Sequence, residues 1–231
     1  MIELYTFTTP NGWKVSITLE ELGLPYNVHI VDIMKEEQFK PAFLEISPNN
    51  KIPAIVDAQG PDGKPISVFE SAAIMIYLAR KTKSPLLPSD ERALTKTMEW
   101  LFFQMASVGP NFGQMGHFVR KEEKIAYAIE RFTNESKRIL RVMDTQLAKF
   151  EYLAGPTYTI ADIATFAWVH VAQLLYLPDL SQWPQLKRWF DQIGARPAVV
   201  RGLTKPPLEL RDGRAHRTAS QTTQEIRSRD P

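Results

Sequence analysis

Thr9 and Asn11 carry a hydroxyl and an amide where the apolar run IELYTF ends and a helical pattern begins. A helix N-terminus and nearby hydrogen-bond donors stabilise a thiolate and so lower the pKa of a thiol. The chain contains no cysteine, so a thiol stabilised at this point would have to arrive on a ligand. The alternative is structural, with Asn11 serving only as the cap of the helix.

Glu70 and Ser71 form a second pair, at a point where a strand pattern ends and a helical pattern starts. Backbone N–H groups at a helix N-terminus, together with a Ser hydroxyl, can hold a carboxylate. A neighbouring Glu carboxylate can hold an ammonium group. The pair therefore suits the α-amino acid end of a ligand, although ordinary helix capping is an alternative.

Ile52 and Pro53 stand at the head of another strand pattern, a position where proline is tolerated. Two alternatives are open for this bond. It is either an ordinary trans bond or a cis bond that turns the Ile52 backbone towards a peptide ligand.

The elements that must position these residues fall into two sets. The first set has the order β-α-β-α-β-β-α. Strand patterns cover residues 2–7, 26–32, 51–57 and 66–70, and helical patterns cover residues 11–23, 38–44 and 71–81.

Beyond residue 90 the strand patterns disappear and only helical patterns remain. They cover residues 95–108, 124–150 and 183–193, with further helices starting at Thr159 and Arg196. Thr159 and Asp162 have the spacing of a capping box. The helix that follows them is apolar nearly all round, so we expect it to form the buried centre of this second set.

Composition narrows the classes of function. A net charge of +2 over 231 residues argues against a nucleic acid or a membrane surface as partner. Four scattered histidines, at positions 29, 117, 170 and 216, show no metal-ligand spacing, so we expect no metal. No apolar run spans a bilayer and the N-terminus lacks the pattern of a secretory signal, which favours the cytoplasm.

Residues 1 to about 202 resemble the cytosolic glutathione transferases, and most closely the bacterial Nu-class, Ure2-like branch with its glutathione-dependent disulfide-bond oxidoreductases. The segments that carry the resemblance are TPNGWK (9–14), FLEISPNNKIPAIVD (43–57), FESAAIMIYLA (69–79), YAIERFTNE (127–135) and YTIADI (158–163). The resemblance implies an α/β thioredoxin-like N-terminal domain (1–81), a linker (82–90), an all-α C-terminal helical domain (91–202) and a polar tail (203–231).

The same resemblance implies a site for glutathione, a γ-Glu-Cys-Gly tripeptide that serves as co-substrate. Glu70 and Ser71 would hold its γ-glutamyl end, and the main chain of Ile52 before Pro53 would pair with its cysteine moiety. Gln38 and Lys51 would reach its glycine carboxylate, and Thr9 and Asn11 would face its sulfur.

Arg131, in the YAIER segment, matches an arginine that reaches glutathione from the partner subunit in this branch, which implies a homodimer. A surface ion pair between Arg131 and Glu135 is the alternative. Tyr5, inside the first strand pattern, is expected to pack rather than to act on the sulfur.

A pocket for the second substrate is expected around Phe112, Gln114 and His117. In the branch the segment often reads GQNHHF, whereas this chain has GQMGHF at residues 113–118. Met115 and Gly116 thus replace an amide and an imidazole.

The reaction expected from the resemblance is reduction of a disulfide by the bound glutathione thiolate. Because the chain has no cysteine, a route through a protein thiol is excluded. Conjugation of a carbon electrophile, reduction of a peroxide and glutathione binding without catalysis remain alternatives.

Overall fold

A computed structural model gives the structure of the protein and describes residues 1–177 and 179–206. The N-terminal part follows the predicted β-α-β-α-β-β-α order. Its strands are β1 (Ile2–Thr6), β2 (Tyr26–Ile30), β3 (Ala54–Asp57) and β4 (Ile66–Phe69), and its helices are α1 (Pro10–Glu21), α2 (Pro41–Leu44) and α3 (Ser71–Lys81). Short 3₁₀ turns lie at Ile33–Lys35, Glu37–Phe39 and Pro61–Gly63.

The four strands form one sheet in the order β2-β1-β3-β4. β1 pairs in parallel with β2, through the crossover helix α1, and antiparallel with β3, which in turn pairs antiparallel with β4. A parallel pair requires a crossover of this kind, whereas an antiparallel pair can be joined by a short turn. The arrangement brings the start of α1 and the start of α3 to neighbouring positions.

The rest of the described chain is helical. It contains α4 (Glu91–Phe103), a π-helical segment (Gln104–Val108), α5 (Gly109–Arg120), α6 (Ala126–Leu147), α7 (Ile160–Leu175), α8 (Pro184–Gly194) and α9 (Pro197–Leu203). Among residues 1–177 and 179–206, no helix has the length and the apolar character needed to cross a membrane.

Helix α7 is the buried centre of the helical part, as its sequence predicts. The capping box is present: Thr159 accepts a hydrogen bond from the first turn of α7, and the Asp162 carboxylate accepts one from the Thr159 N–H. Asp162 also accepts hydrogen bonds from the Leu153 N–H and from the Trp189 indole at 2.9 Å. One carboxylate thus joins α7 to α8 and to the loop before α7.

The two parts share one large hydrophobic core. Trp13 and Ile17 of α1 and Met75 of α3 pack in the same buried cluster as Phe166 of α7 and Leu101 of α4. A second, smaller core lies between the sheet and the sheet-facing sides of α1 and α3. The domain boundaries at 81, 90 and 202 therefore remain a prediction, and the predicted tail beyond residue 206 lies outside the described residues.

Helix α5 is absent from the sequence prediction, because Pro110 and three glycines within eight residues are typical of a turn. The structure gives the reason that a helix forms. A Cβ at Gly109 or Gly113 would lie 3.4 or 3.3 Å from the Trp168 ring, and one at Gly116 would lie 2.6 Å from the ring of Tyr176. The glycines thus form one flat face that lets α5 approach α7 closely, and Pro110 occupies the first turn, where proline is favoured.

Candidate active site

The first turn of α1 forms one side of the candidate site. Thr9 is the N-cap residue, and its Oγ1 accepts a hydrogen bond from the Gly12 N–H at 3.1 Å. The alternative that Asn11 caps this helix is therefore wrong. A Cβ at Gly12 would lie 2.4 Å from Thr6 Oγ1, so glycine is required for α1 to begin this close to the end of β1.

Asn11 is held by a residue that the sequence analysis did not identify. The Trp168 indole N–H donates to Asn11 Oδ1 at 2.9 Å. An indole nitrogen can only donate, so the atom that faces it must be the amide oxygen. The Asn11 NH₂ group is consequently directed away from Trp168, and in the described part of the chain it has no hydrogen-bond acceptor. Only the fold, not the sequence, brings residues 11 and 168 together.

The start of α3 forms the opposite side of the site. Glu70 has φ 68° and ψ 116°, a backbone conformation that costs a non-glycine residue about 1–3 kcal/mol. Its side chain makes no capping hydrogen bond, so the capping alternative is wrong for Glu70. Ser71 is buried, and the first N–H groups of α3 lack partners within the helix. The free N–H groups and the dipole at a helix N-terminus are suited to receive an anion, and backbone strain of this kind clusters at functional sites.

The loop before β3 contains the other predicted binding residues. The Ile52–Pro53 bond is cis. Ile52 packs against the small cluster of Val31, Phe43 and Ala54, and exposed Lys51 precedes it. Gln38 lies in the turn Glu37–Phe39, and its Oε1 is buried without a hydrogen-bond partner.

The π-helical segment closes the site from the helical part. Met105 Sδ lies 3.9 Å from Ser71 Oγ, and both polar atoms of the buried Gln104 amide lack hydrogen-bond partners. Single π-helical turns inside α-helices are frequent at functional sites. The sequence pattern gives no sign of this turn, because it continues the helical periodicity of α4.

Lys14 is the second residue that the sequence analysis missed. Its side chain is only 1% exposed, and its Nζ lies 3.4 Å from Ser71 Oγ and 3.4 Å from Met105 Sδ. Burial lowers the pKa of Lys14 to about 7, while the nearby Glu70 charge acts in the opposite direction. One signal was available, because Lys14 is the only charged residue between Glu3 and Glu20.

The predicted pocket for a second substrate needs one correction. Phe112 has no exposed surface and belongs to the helical core, so it does not line a surface that solvent reaches. Gln114 and His117 are exposed. The His117 ring packs edge-on against Phe118, which stacks on Phe132 of α6.

Arg131 is exposed on α6 and lies away from Asn11 and Ser71. It lines an open groove of about 730 Å³, and neither Asn11 nor Ser71 lines that groove. Arg138 binds both oxygens of the Glu135 carboxylate at 2.7 and 2.8 Å, and Arg131 acts on that carboxylate only through longer-range attraction. Within the described residues of one chain, Arg131 makes no hydrogen bond or ion pair with Asn11, Glu70 or Ser71.

Tyr5 packs as expected. Its ring stacks on His29 with centroids 4.7 Å apart and also contacts Phe43. In the described ranges, no group of three or more His, Asp or Glu side chains could hold a metal ion.

Comparison with known proteins places this geometry in a family. Residues 8–81 match the family model described as "Glutathione S-transferase, N-terminal domain", and residues 126–192 match "Glutathione S-transferase, C-terminal domain". The Escherichia coli (strain K12) protein named disulfide-bond oxidoreductase YfcG is 45% identical over 210 residues, which cover 90% of this chain and 97% of the relative.

Two solved structures are similar in sequence and in fold. A glutathione transferase family member from Pseudomonas fluorescens pf-5, solved with two glutathione molecules bound, is 46% identical with a TM-score of 0.81, covering 87% of this chain and 92% of the other. A glutathione transferase from Pseudomonas putida, solved with one glutathione disulfide bound per subunit, is 42% identical with a TM-score of 0.83, covering 89% and 91%.

Proposed function

The chain belongs to the glutathione S-transferase family, and we propose that it is a glutathione-dependent enzyme that reduces disulfide bonds with the thiolate of bound glutathione. The proposal rests chiefly on the contact between Asn11 and Trp168. It leaves an amide NH₂ group without an acceptor at the start of α1, in a chain that has no sulfur nucleophile of its own.

The proposed orientation of glutathione follows the two sides of the site. The γ-glutamyl carboxylate lies at Ser71 and the first N–H groups of α3, and the ammonium lies at Glu70. The Ile52 main chain pairs with the cysteine moiety, while Gln38 and Lys51 bind the glycine carboxylate. This orientation brings the sulfur towards Thr9 and Asn11.

The protein would promote the reaction by stabilising the thiolate. The Asn11 NH₂ group donates to the sulfur, and the N-terminus of α1 adds favourable electrostatics. Thr9 Oγ1 holds the first turn of α1 in place through Gly12. Trp168 acts as a positioning residue, because it fixes which end of the Asn11 amide faces the ligand.

The proposed reaction has two exchange steps. The glutathione thiolate attacks one sulfur of a disulfide, forms a mixed disulfide and releases the other sulfur as a thiolate, which takes up a proton. A second glutathione thiolate then attacks the mixed disulfide. Oxidised glutathione forms and the second substrate thiol is released, so two glutathione molecules are oxidised for each disulfide reduced.

A relative named as a disulfide-bond oxidoreductase and a similar structure that holds glutathione disulfide support this reaction over conjugation. The test compares turnover of purified protein with hydroxyethyl disulfide and with chlorodinitrobenzene, each in the presence of glutathione. We expect disulfide reduction to dominate. Strong conjugation with negligible disulfide reduction would contradict the proposal, and binding without turnover of either substrate or of a peroxide would make the protein a non-catalytic glutathione binder.

We further propose a homodimer that works in the cytoplasm, where glutathione is the main thiol pool. The exposed position of Arg131, away from the site of its own chain, supports the dimer. In this arrangement Arg131 of one subunit reaches the glutathione that is bound by the other.

A further inference from the structure

Lys14 is a buried cation without a matching anion. Its Nζ contacts only the Ser71 hydroxyl and the Met105 thioether, both at 3.4 Å. The contact with the Ser71 oxygen is long, since N–H···O bonds centre near 2.9 Å, and a thioether sulfur is only a weak acceptor. No carboxylate in the described part of the chain lies within 4.0 Å of this ammonium group. A buried charge normally requires a paired charge, so the Lys14 ammonium lacks the anion that would stabilise it.

The charged groups around Lys14 do not supply that partner. Glu70, at the entrance to α3, acts on Lys14 only through longer-range attraction. On α7, His170 packs against Trp13, and burial lowers the pKa of this imidazole to about 4, so it is neutral. Arg196, directly before α9, and Arg201, on α9, are bound to the far end of α1 through Glu21 and Glu20. The π-helical segment contributes only the uncharged Gln104 and Met105.

We propose that Lys14 is a binding residue for the γ-glutamyl carboxylate of glutathione, acting beside and through Ser71, and that it takes up a proton from solvent when this anion binds. The proposal rests on the proposed function, because it requires the γ-glutamyl end to lie at Ser71. It adds a cation that the sequence analysis did not assign, and it makes binding depend on pH.

The physical reason is a change in the environment of one amine. In the free protein, burial holds the pKa of Lys14 at about 7, so this amine is partly neutral at physiological pH. An opposite charge within about 4–6 Å raises such a pKa by roughly 1–3 units. The amine therefore becomes an ammonium in the complex. The Ser71 hydroxyl, which faces a weak sulfur acceptor in the free protein, turns to donate to the carboxylate.

Proton uptake can be measured by titration calorimetry at pH 8 in buffers that differ in ionisation enthalpy. S-methylglutathione is the probe, because it has the same carboxylates and amine but no thiol whose ionisation would release a proton. Its amine also titrates near this pH, and the proton that it gains at Glu70 is common to the wild-type protein and its variants. With a free pKa near 7 and a bound pKa of 8–10, we expect Lys14 to contribute an uptake of about 0.4–0.9 protons per site.

The affinity for S-methylglutathione should also depend on pH, because proton uptake favours binding at lower pH. The charged form of Lys14 binds the anion more tightly, so affinity is highest below the free pKa and falls as pH rises above it. Between pH 6 and pH 8, we expect the affinity for S-methylglutathione to fall roughly five- to tenfold.

Two variants of Lys14 and one matched control complete the experiment. Lys14→Met removes the amine, and Lys14→Arg keeps the positive charge but cannot release its proton near pH 8, so both should lower the uptake to the part that the ligand amine contributes. Lys51→Met removes a lysine from the opposite end of the proposed ligand. It should weaken binding but keep the proton uptake, because Lys51 is exposed.

The possible results separate the two proposals. Saturable binding with an uptake that is larger in the wild-type protein than in both Lys14 variants supports the role of Lys14. Saturable binding of S-methylglutathione with a wild-type uptake at pH 8 that does not exceed the uptake of either variant overturns that role. The absence of any binding by the wild-type protein instead overturns the proposed function itself.

Discussion

At the scale of single residues, Asn11 is the group on which the proposed chemistry depends. Replacing it by Ala removes the donor to the sulfur and leaves the binding residues at the other end of glutathione in place. Loss of one donor of this kind costs about 100-fold or more in turnover. We expect the rate with hydroxyethyl disulfide to fall by about this factor, while the dissociation constant of glutathione changes less than about threefold.

Ser71→Ala is the matched comparison for Asn11→Ala, because it acts at the opposite end of the ligand. Steady-state kinetics and calorimetry of both variants should show weaker binding for Ser71→Ala and slower turnover for Asn11→Ala. Wild-type behaviour in both would show that the site is assigned wrongly.

Trp168→Phe tests whether the indole N–H orients the Asn11 amide. An aromatic ring is retained at position 168, but the hydrogen bond at 2.9 Å and the indole atoms that face Gly109 and Gly113 are lost. The amide can then rotate, and we expect roughly tenfold slower turnover together with a higher pKa in the pH–rate profile. Trp100→Phe, an identical change at another tryptophan of the shared core that makes no hydrogen bond to Asn11, is the control. An unshifted pH profile in Trp168→Phe would mean that the indole serves packing alone.

Lys14 should also affect stability in the ligand-free protein. The pKa of this amine is about 7 in the folded state against 10.5 in its ordinary environment, so the unfolded chain binds more protons between those values. The contribution of Lys14 to the free energy of unfolding therefore rises with pH between these two pKa values, by on the order of 1 kcal/mol per pH unit.

Urea unfolding of the wild-type protein and of Lys14→Met between pH 7 and pH 10 measures this effect. Lys14→Met should be the more stable protein at pH 7, and the difference should shrink as pH rises. A difference in the free energy of unfolding that stays constant with pH would mean that folding does not lower the pKa of Lys14.

At the scale of elements, the sequence predicts a helix well where its ends carry local signals. Helix α3 has the predicted bounds of 71–81, since a strand precedes it and Arg80 and Lys81 close it. The capping box at Thr159 likewise marks the start of α7. Helix α5 and the π-helical segment carry no such local signal. The glycine face of α5 meets the rings of Trp168 on α7 and of Tyr176, which directly follows α7.

In the candidate site, too, some residues carry a local sequence signal and others do not. Glu70, Ser71, Asn11 and Ile52 could be proposed from short local patterns and from the family resemblance. The contact from Trp168 to Asn11 spans 157 positions, and the burial of Lys14 depends on three packed elements. Neither can be predicted from local spacing, because each arises only after the two parts of the chain have packed.

Gly116→Ala tests the close approach of α5 and α7. Alanine gains about 1 kcal/mol of helix propensity over glycine, but its Cβ would lie 2.6 Å from the Tyr176 ring. Overpacking of this kind costs typically 1–3 kcal/mol, so we expect a net loss of up to about 2 kcal/mol in the free energy of unfolding.

Two further variants test whether a clash with the Tyr176 ring explains the Gly116→Ala result. Adding Tyr176→Ala should remove the clash, so that the alanine at 116 no longer destabilises that background. Gly194→Ala is the control, because its Cβ would meet the nearest ring at an ordinary 3.6 Å. Equal effects of Gly116→Ala with and without Tyr176 would contradict the packing explanation.

At the scale of the whole molecule, the proposed dimer makes each site from two chains. Mixing the Asn11→Ala and Arg131→Ala variants under conditions of subunit exchange tests this directly. A mixed dimer would contain one site with both wild-type residues, so about a quarter of the wild-type activity should return when the dimers mix at random. If both residues acted within one chain, no wild-type site would form and activity would stay low.

The proposed function depends most on whether the protein lowers the pKa of the glutathione thiol, since the chain has no cysteine of its own. The direct measurement is the pKa of the thiol of bound glutathione, followed through thiolate absorbance near 240 nm as pH is varied at saturating protein. A free thiol of this kind titrates near 8.5. We predict that the wild-type protein lowers this pKa by at least about one unit and that Asn11→Ala largely restores it. An unshifted value in the wild-type complex, or an equal shift in both proteins, would contradict the proposal.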